Sequence, residues 1–558
     1  MYNKLRSIGL LIGLLTISCV SRAQYVFEKY DLEPNRFEHS NPGLLLPTDS
    51  FLYFLADVNN TGFEPWKSDG TYAGTKMITE IIPGKTSTTG TNLGTINGKV
   101  IFIANDLTHG AEPWITDGTA NGTYMLKDVF TGPPPSLNTN RPSSAAIGGL
   151  LYFTPDDGPH GQELWVTDGT TNGTRMIKDI RPGIKSSQPS QFIEYNNKIY
   201  FTAFDDTNGS ELWVTDGTSN GTKLVIDGSQ GGSSSYINHL TVYNNKLYYT
   251  GYLNAVFGLI ESNGTAIGTK LVAEVGVGVT PSKESSIVLF NGKMYFGGSD
   301  TTSPTKGIEL WETDGTANGT RLVLDINPFF GQSSYPRLFT VVGNQLFFVA
   351  DDAVHQEELW VTDGTTNGTK MVKDISKHPV TGSQPRGLIA YKNKLVFVAA
   401  DTTASGRGIW ISDGTANGTI KIKGYDYVTK FNPTSALTLY KGSIYFPARD
   451  TSYLELWKLT DTTTSTPPPN AVAALKNTPS KIIIAPNPAH DRVYITLDKA
   501  YSNAQLTITD ITGRSILKQS ITNTQTQIEV ALPNLPTGTY LLNVHHKDGV
   551  LSQRLLIE

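Results

Sequence analysis

Short apolar runs separated by turn residues recur along most of the chain. Residues 192–227, which read FIEYNNKIYFTAFDDTNGSELWVTDGTSNGTKLVID, contain four runs rich in Tyr, Phe, Ile, Val and Trp. Asn196 and Asn197 are expected to close a hairpin between the first two runs, because such pairs adopt positive φ at little cost. The DGTxxGT loop would join the third run to the fourth. Each unit is therefore predicted to be a four-stranded antiparallel sheet with both faces buried.

The repeated units place a tryptophan at the same position eight times, and Ile260 stands where a ninth is expected. These tryptophans are Trp66, Trp114, Trp165, Trp213, Trp311, Trp360, Trp410 and Trp457. The first and last are 391 residues apart over eight intervals, about 49 residues per unit, which is typical of propeller blades. We predict an all-β chain in which residues 24–462 form a β-propeller of about nine four-stranded blades.

The two ends of this region suggest how the ring closes. The last unit, SIYFPARDTSYLELWKL, stops after its third strand, and the N-terminal YVFEKYDLEP resembles a missing fourth strand. Asp31 and Leu32 match Asp179 and Ile180 of the third unit, and Pro34 is expected to match its proline. Pairing of these segments would cover an otherwise open edge strand. The alternative is an open solenoid with frayed ends.

A second domain follows a Thr/Pro-rich linker at residues 463–480. Residues 481–558 read as seven strands: KIIIAP, RVYITL, QLTITDI, SILKQSI, TQIEVAL, GTYLLNVHH and VLSQRLLI. Seven short strands in so few residues predict a small Ig-like β-sandwich.

Residues 1–23 have the composition of a secretory leader. Lys4 and Arg6 precede the apolar run IGLLIGLLTI, and SRA places small residues before a cleavage site after Ala23. The only cysteine, Cys19, lies in this leader, so no disulfide is expected in the mature chain. Lipidation of Cys19 is the alternative, although TISC has Thr16 where a lipobox usually has Leu.

The net charge and the hydropathy of the chain limit the classes of partner that it is expected to bind. The formal net charge of −5 becomes −8 when the three basic residues of the leader are removed. No basic run occurs, so nucleic acid is not an expected partner, because phosphate neutralisation needs clustered Lys and Arg. No later segment approaches eighteen consecutive apolar residues, so no transmembrane segment is expected in the mature chain.

The recurring ELWVTDGT stretch has a structural and a functional interpretation. Its Glu and Asp could form a repeated carboxylate pair for calcium binding or catalysis. Alternatively, the Trp is a wedge between blades, the Asp anchors its own loop and the Gly supplies positive φ. Repetition in nearly every blade favours the structural interpretation, since an active site needs distinct residues converging at one place. In the fifth unit, Asn263 replaces the Asp and Gly258 replaces the Glu.

One rim of the predicted propeller carries the loops between second and third strands and the connections between blades. Carboxylates that follow the second strand are candidate ligand-binding residues there: Asp57, Asp106, Asp157, Asp206, Asp300, Asp352, Asp401 and Asp450. Such oxygen-rich loops could hold calcium, the one cofactor the sequence suggests, although an Asp that caps its own turn is the commoner arrangement.

No catalytic residue is predicted. His109, His160 and His355 occupy equivalent loops, but no two histidines show metal-ligand spacing within one unit, so they are expected at the surface. The HExxH and Walker motifs are absent from the sequence.

The repeats resemble the family defined by the consensus ELWxxDGTxxGT, which is common in secreted proteins of Bacteroidetes-type bacteria. The resemblance covers about residues 24–462 and implies no established activity. The C-terminal region resembles the type A sorting domain of the type IX secretion system, through PNPAHDRVYI, LTITDITGRSIL and LPTGTYLLNV. The matching residues include Pro486, Asn487, Pro488, Gly513, Gly538 and Tyr540, whereas Arg554 stands where Lys is more usual.

That resemblance implies interaction with the type IX machinery, passage across the outer membrane, and then release or surface attachment. We therefore expect a secreted or cell-surface propeller that acts as a non-enzymatic binding or adhesion scaffold for glycan or protein. The alternative is a polysaccharide-active hydrolase or lyase, which would need one blade with unique acid or base residues. The fifth unit, with GYLNAVFGLIESNGT, is the most divergent.

Overall fold

The computed structural model describes two parts of the chain. In the N-terminal part, the described residues are 25–32, 40–58, 62–84, 87–88, 90–132, 134–137, 143–277, 287–300, 305–377, 381–401, 407–422, 437–449 and 454–462. In the C-terminal part they are 482–485, 492–497, 504–510, 515–521, 527–532, 535, 538–546 and 549–557. The predicted leader and linker therefore lie outside the described residues.

The chain divides into two compact units, residues 1–463 and 464–558. All regular elements in the ranges above are β-strands. No helix that is long and apolar enough to cross a membrane is found among the described residues.

The first unit begins with β1 (Tyr25–Tyr30) and continues with sheets numbered in chain order. Sheet 1 contains β2 (Gly43–Pro47), β3 (Leu52–Asp57), β4 (Phe63–Ser68) and β5 (Lys76–Met77). Sheet 2 contains β6 (Asn92–Ile96), β7 (Lys99–Asn105), β8 (Ala111–Thr116) and β9 (Tyr124–Met125). Sheet 3 contains β10 (Ser144–Ile147), β11 (Leu150–Phe153), β12 (Leu164–Thr167) and β13 (Arg175–Lys178).

The next three sheets include the divergent fifth unit. Sheet 4 contains β14 (Ser190–Tyr195), β15 (Lys198–Asp205), β16 (Gly209–Thr215) and β17 (Lys223–Ile226). Sheet 5 contains β18 (Asn238–Tyr243), β19 (Lys246–Leu253), β20 (Val256–Ser262) and β21 (Thr269–Ala273). Sheet 6 contains β22 (Val275–Val277), β23 (Val288–Phe290), β24 (Lys293–Asp300), β25 (Glu309–Thr313) and β26 (Arg321–Leu324).

The last three sheets bring the chain back to its beginning. Sheet 7 contains β27 (Arg337–Val342), β28 (Gln345–Asp351), β29 (Glu357–Thr362) and β30 (Lys370–Lys373). Sheet 8 contains β31 (Arg386–Tyr391), β32 (Lys394–Ala400), β33 (Arg407–Ser412) and β34 (Ile420–Lys421). Sheet 9 contains β35 (Thr438–Tyr440), β36 (Ser443–Arg449) and β37 (Leu454–Asp461), together with β1.

Pairing of β1 with β37 confirms the predicted closure. The two strands are antiparallel, from Tyr25 opposite Asp461 to Tyr30 opposite Leu456. Leu32 donates its N–H to the Glu455 carboxylate at 3.4 Å, just as Ile180 does to Glu163 at 2.8 Å. The N-terminal segment therefore takes the place of a fourth strand, while Pro34 lies outside the described residues.

Hydrophobic clusters fill the space between successive sheets. In the described residues there are nine such clusters, one between each sheet and the next, and the last joins sheet 9 to sheet 1. In that last cluster, Tyr440 and Tyr445 of sheet 9 pack with Phe54 and Trp66 of sheet 1. Because both faces of each sheet are covered, the arrangement is propeller-like, as the consecutive apolar positions predicted.

Sheet 6 differs from the prediction of four strands in every unit. Its extra strand, β22, comes from the connection after sheet 5 and pairs with the end of β24, where Val275 lies opposite Asp300. The connections after most other sheets are held by a buried carboxylate instead, as shown below.

The C-terminal unit has seven strands among its described residues, as predicted. They are β38 (Ile482–Ala485), β39 (Arg492–Leu497), β40 (Ala504–Asp510), β41 (Ser515–Ile521), β42 (Gln527–Ala531), β43 (Gly538–His546) and β44 (Gly549–Ile557). They form a sheet of β38, β39 and β42 and a sheet of β41, β40, β43 and β44. Tyr540 lies in the core of this unit and Gly538 begins β43, whereas Pro486, Asn487, Pro488 and Gly513 lie outside the described residues.

Closure of the ring can be tested on a single strand. Tyr30 is 2% exposed, packs between sheets 9 and 1 and donates its hydroxyl to the Gly70 carbonyl, whereas Val26 on the same strand is 36% exposed. We expect Tyr30→Ala to lower the free energy of unfolding by about 3 to 5 kcal/mol, because it leaves a cavity. Val26→Ala should cost less than about 0.5 kcal/mol. Equal costs in urea unfolding would contradict closure by β1.

Candidate functional site at the loop edge of the sheets

Each sheet of the first unit has two different edges. The hairpin edge carries the turns between first and second strands and the DGTxxGT loops between third and fourth strands. The loop edge carries the connections between second and third strands and those that lead to the next sheet. These two kinds of connection meet, since Arg181, which follows β13, forms a 2.6 Å ion pair with Asp206, which follows β15.

The DGTxxGT loop is held by its own side chains. In sheet 3, Asp168 Oδ1 accepts hydrogen bonds from the N–H and hydroxyl of Thr170 at 2.8 and 2.7 Å. The Thr170 hydroxyl accepts the N–H of Gly173, and a Cβ at Gly173 would collide with the Asp168 carboxylate. The hydroxyls of Thr167 and Thr174 lie 2.7 Å apart and brace the ends of the loop.

The same bonds recur in the first eight sheets. In sheet 5, Asn263 Oδ1 accepts from the N–H and hydroxyl of Thr265, so the amide performs the task of the carboxylate. The hydrogen bond from the Thr170 hydroxyl lowers the pKa of Asp168, which keeps it ionised at neutral pH. Each polar side chain of the DGTxxGT consensus therefore forms hydrogen bonds that stabilise its own turn.

The Glu of the ELW triplet lies elsewhere and is buried. Glu163 is fully buried and accepts the N–H of Ile180 at 2.8 Å and the N–H and hydroxyl of Ser187 at 3.0 and 2.6 Å. Ile180 and Ser187 belong to the connection between sheets 3 and 4, so this carboxylate fastens the chain that leads to the next sheet to the third strand of its own sheet. Burial raises the pKa of Glu163 to about 7, although these hydrogen bonds oppose the shift.

Seven sheets share this buried carboxylate. Its copies are Glu64, Glu112, Glu163, Glu211, Glu309, Glu358 and Glu455, each at most 1% exposed. The sequence interpretation considered a Glu–Asp pair and did not identify the serine as the partner. A signal was present, because a serine follows the Glu by 24 or 25 residues at Ser136, Ser187, Ser235, Ser334 and Ser383.

Sheets 5 and 8 have glycine at this position. A Cβ at Gly258 would collide with the carbonyl of Ala273, and one at Gly408 with the Lys421 side chain. The connection after sheet 5 carries β22 instead. Loss of the carboxylate at Gly258 therefore coincides with the extra strand of sheet 6.

The motif tryptophans lie between sheets. Trp213 is 7% exposed and packs with Leu164 and Val166 of the preceding sheet, and Trp165 packs in the same way on Ile101 and Ile103. Ile260, which takes this position in sheet 5, is completely buried among residues of sheets 4 and 5.

At the loop edge, three of the predicted aspartates pair with histidines. Asp106, Asp157 and Asp352 each accept the backbone N–H of the histidine three residues later, and the second carboxylate oxygen lies 2.7 to 2.8 Å from its Nδ1. These histidines are His109, His160 and His355, with side chains 35 to 38% exposed. The hydrogen bond to Asp raises the pKa of each histidine.

Asp206 follows the second strand of the fourth unit, as expected, but Asp205 occupies the position equivalent to Asp157. Asp205 is six residues before the motif Glu, as Asp157 is, and it accepts the N–H of Thr207 and of Asn208. Asp206 instead forms ion pairs with Arg181 at 2.6 Å and Lys185 at 3.3 Å. The candidate Asp206 therefore lies one residue beyond the equivalent position, because this loop begins with an Asp-Asp doublet.

The remaining predicted aspartates have separate surroundings. Asp57 accepts the N–H of Gly62 at 3.0 Å, Asp401 pairs with Lys421 at 3.0 Å, and Asp300 ends β24. Asp450 lies outside the described residues. Among the described residues, no group of three or more His, Asp or Glu side chains could hold a metal ion, so calcium binding stays a prediction.

Exposed apolar side chains are concentrated at the loop edge. Eight large apolar side chains of the described residues are more than half exposed, and six of them lie in connections at this edge. Those six are Leu107, Ile184, Tyr236, Phe329, Phe330 and Val354, whereas Tyr72 and Ile267 belong to the hairpin edge. Solvent-exposed apolar side chains do not stabilise the sheets, and their concentration on one side is typical of an interaction surface.

The buried carboxylate predicts a pH dependence. Because the pKa of Glu163 is raised from 4.5 to about 7 in the folded protein, folded-state stability falls as pH rises through this interval. Glu163→Gln removes this titration. The free energy of unfolding of Glu163→Gln minus that of the unsubstituted protein should therefore increase by about 2 to 3 kcal/mol between about pH 5 and about pH 8.

Asp168→Asn is the matched control. The pKa of Asp168 is lowered from 3.8, so its titration lies below this pH range, and Asn263 occupies the same position naturally. The control's difference from the unsubstituted protein should stay constant in urea unfolding. A constant difference for Glu163→Gln as well would show that burial does not shift the pKa of that carboxyl.

Comparison with known proteins identifies the C-terminal unit. Residues 483–558 match the family model described as the secretion system C-terminal sorting domain. No curated protein was found to be similar to the chain.

Solved structures with similar folds share little sequence. Puromycin hydrolase has 10% identity and a TM-score of 0.31, with 66% of this chain and 61% of that chain covered. Oligopeptidase B from Leishmania major has 8% identity and a TM-score of 0.38, with 92% of this chain and 54% of that chain covered. These weak likenesses support no conclusion about activity, whereas the family match shows that residues 483–558 are a type IX secretion system sorting domain.

Proposed function

We propose that this protein is a secreted or cell-surface β-propeller of nine blades that acts as a non-enzymatic binding or adhesion scaffold. In this proposal residues 1–23 are a Sec leader, residues 24–462 are ELWxxDGT repeats of Bacteroidetes type, and the C-terminal unit is an Ig-like sorting domain of type A. The propeller is the exported cargo. Its ligand is a glycan or a protein outside the cell.

The observation that carries the proposal is the contrast between the two edges. The hairpin edge repeats one hydrogen-bonded loop in eight sheets, whereas the loop edge presents different exposed side chains in different sheets. A rigid scaffold with variable loops on one side is the common arrangement of binding proteins. The sorting domain supports exposure of that edge to extracellular polymers.

The alternative, a hydrolase or lyase, needs acidic or basic groups that are free to react. Glu261 of sheet 5 and Glu312 of sheet 6 follow the motif Ile or Trp directly, where the other sheets have Val, Ile or Lys. Glu312 is 1% exposed and is held by Lys293 at 2.7 Å, Arg321 at 2.8 Å and the Tyr295 hydroxyl at 2.9 Å. Burial would raise the pKa of Glu312, but these partners hold it below 4.5. A buried carboxylate held by these partners fits the role of a structural ion pair rather than that of a general acid.

Export can be tested by deletion and transfer of the sorting domain. Removal of residues 483–558 should leave the protein in the periplasm. Fusion of residues 464–558 to a periplasmic reporter should carry that reporter to the cell surface or medium. Immunoblots of cell fractions measure both results. Normal export of the truncated chain would contradict the assignment.

Binding through the loop edge can be tested with exposed-residue variants. The labelled full chain is incubated with cellulose, mannan, chitin and alginate and with immobilised mucin and collagen. Ile184→Ser, Phe330→Ser and Val354→Ser combined should reduce the bound fraction by about half or more, because the exposed apolar surface is lost. Ile267→Ser at the hairpin edge is the matched control and should have no effect.

Two outcomes would oppose the proposal. If the loop-edge and hairpin-edge variants reduce the bound fraction equally, the ligand does not bind through the loop edge. Release of soluble sugar from a polymer during the incubation would favour the hydrolase or lyase.

A further inference from the structure

Three aromatic rings meet at the loop edge of sheet 5. Tyr252 of β19 lies opposite Phe257 of β20, and their ring centroids are 5.0 Å apart in an edge-to-face arrangement. Tyr236, in the connection from sheet 4, packs against Tyr252 with centroids 6.2 Å apart. Tyr236 is 66% exposed and Tyr252 is 38% exposed. We name Tyr236, Tyr252 and Phe257 the aromatic shelf.

The backbone around the shelf is arranged to present it. Asn254 and Ala255 form a two-residue turn with φ of 52° and 66°, which keeps β19 and β20 paired up to the edge. The connection from sheet 4 lies against this hairpin, since Tyr252 donates its N–H to the Ser235 carbonyl at 2.8 Å. A Cβ at Gly251 would come within 2.8 Å of that carbonyl, so glycine permits the close approach.

Tyr236 occupies a position where two other sheets have a glutamine. It follows the serine that binds the buried Glu and has φ of 50°, and its equivalents Gln188 and Gln384 have φ of 49° and 47°. Left-handed backbone is unfavourable for a bulky residue. Apart from its contact with Tyr252, the Tyr236 ring is 66% exposed in this unfavourable conformation, which points to contact with a ligand.

The two chain segments that carry the shelf are polar but uncharged, whereas the adjoining loop of sheet 4, which bonds to Ser234, carries Asp205 and Asp206. Residues 228–238 and 247–260 contain no Asp, Glu, Lys, Arg or His, and Gln230 and Ser233 are exposed beside Tyr236 in the chain. A sugar ring has a C–H face that can stack on an aromatic face and hydroxyls that need hydrogen-bond partners. An acidic polysaccharide would call for Arg or Lys, and protein interfaces are enriched in Arg as well as aromatic residues. The chemistry of the shelf therefore favours a neutral carbohydrate.

We propose that the aromatic shelf binds a neutral polysaccharide by stacking its sugar rings on the exposed faces of Tyr236 and Tyr252. This inference rests on the proposed binding function and names the ligand class and the sheet that contacts it. The serine hydroxyls and the side-chain amide of Gln230 would form hydrogen bonds with the sugar hydroxyls.

The test compares two tyrosines in equivalent positions. Tyr335 follows the serine of the next such connection, has φ of 48° and is 44% exposed, but its neighbour Arg337 is paired with Glu357 at 2.8 Å. Tyr236→Gln and Tyr335→Gln introduce the side chain that Gln188 and Gln384 have naturally, so both variants should fold. The full chain is titrated with soluble mannan, xylan, glucan and alginate, with tyrosine and tryptophan fluorescence and calorimetry as readouts.

We expect the unsubstituted chain to bind one or more of the neutral polymers and Tyr236→Gln to weaken that binding at least about tenfold. Tyr335→Gln and Tyr236→Phe should each stay within about twofold, because the first lies away from the shelf and the second keeps the stacking face. A loss in Tyr236→Phe equal to that in Tyr236→Gln would overturn stacking as the mode of binding.

Other results separate this inference from the proposed function. Unchanged binding by Tyr236→Gln would reject the shelf but keep the scaffold function. Binding of alginate, mucin or collagen alone would reject the neutral ligand class and again keep that function. Binding of none of these polymers would reject both.

Discussion

In seven of the nine sheets in the described part of the ring, a carboxylate with almost no exposed surface holds the chain that leads to the next sheet. Burying such a group is costly unless hydrogen bonds compensate for lost water, and Glu163 receives them from two backbone N–H groups and one serine hydroxyl within 3.0 Å. Since the donors lie 17 and 24 residues away, each bond forms only when the third and fourth strands and the connection after them have folded.

Closure of the ring uses this same bond. Glu455 accepts the Leu32 N–H and the Ser40 hydroxyl across more than 400 residues of sequence, and β1 completes the sheet that contains it. The last sheet is therefore held to the first by the contact that joins most other neighbouring sheets. Repeats that contact only their neighbours usually need special ends, and joining the two ends removes that need.

Stabilising residues and variable residues are separated in this fold. The DGTxxGT loops satisfy their own polar groups at the hairpin edge, so that edge repeats with little change. Sheet 5 departs most at the loop-edge end of its third strand, where glycine replaces the buried Glu and the short hairpin presents the aromatic shelf. Such a scaffold can change its loop edge without losing stability, because the bonds between sheets lie beneath the surface.

The sequence by itself determined the strands, the hairpin turns, the place of Trp213 and the pairing of β1 with the last sheet. These follow from local alternation, turn chemistry and repetition, which act over a few residues or recur at fixed spacing. Only the tertiary structure decided that the ELW glutamate binds a serine in the next connection, that Asp206 pairs with Arg181 and Lys185, and that β22 joins sheet 6. Each of these features depends on which distant groups meet after folding. The pKa of Glu163 is an example, because it rises to about 7 only when the neighbouring sheets exclude water from the carboxyl group.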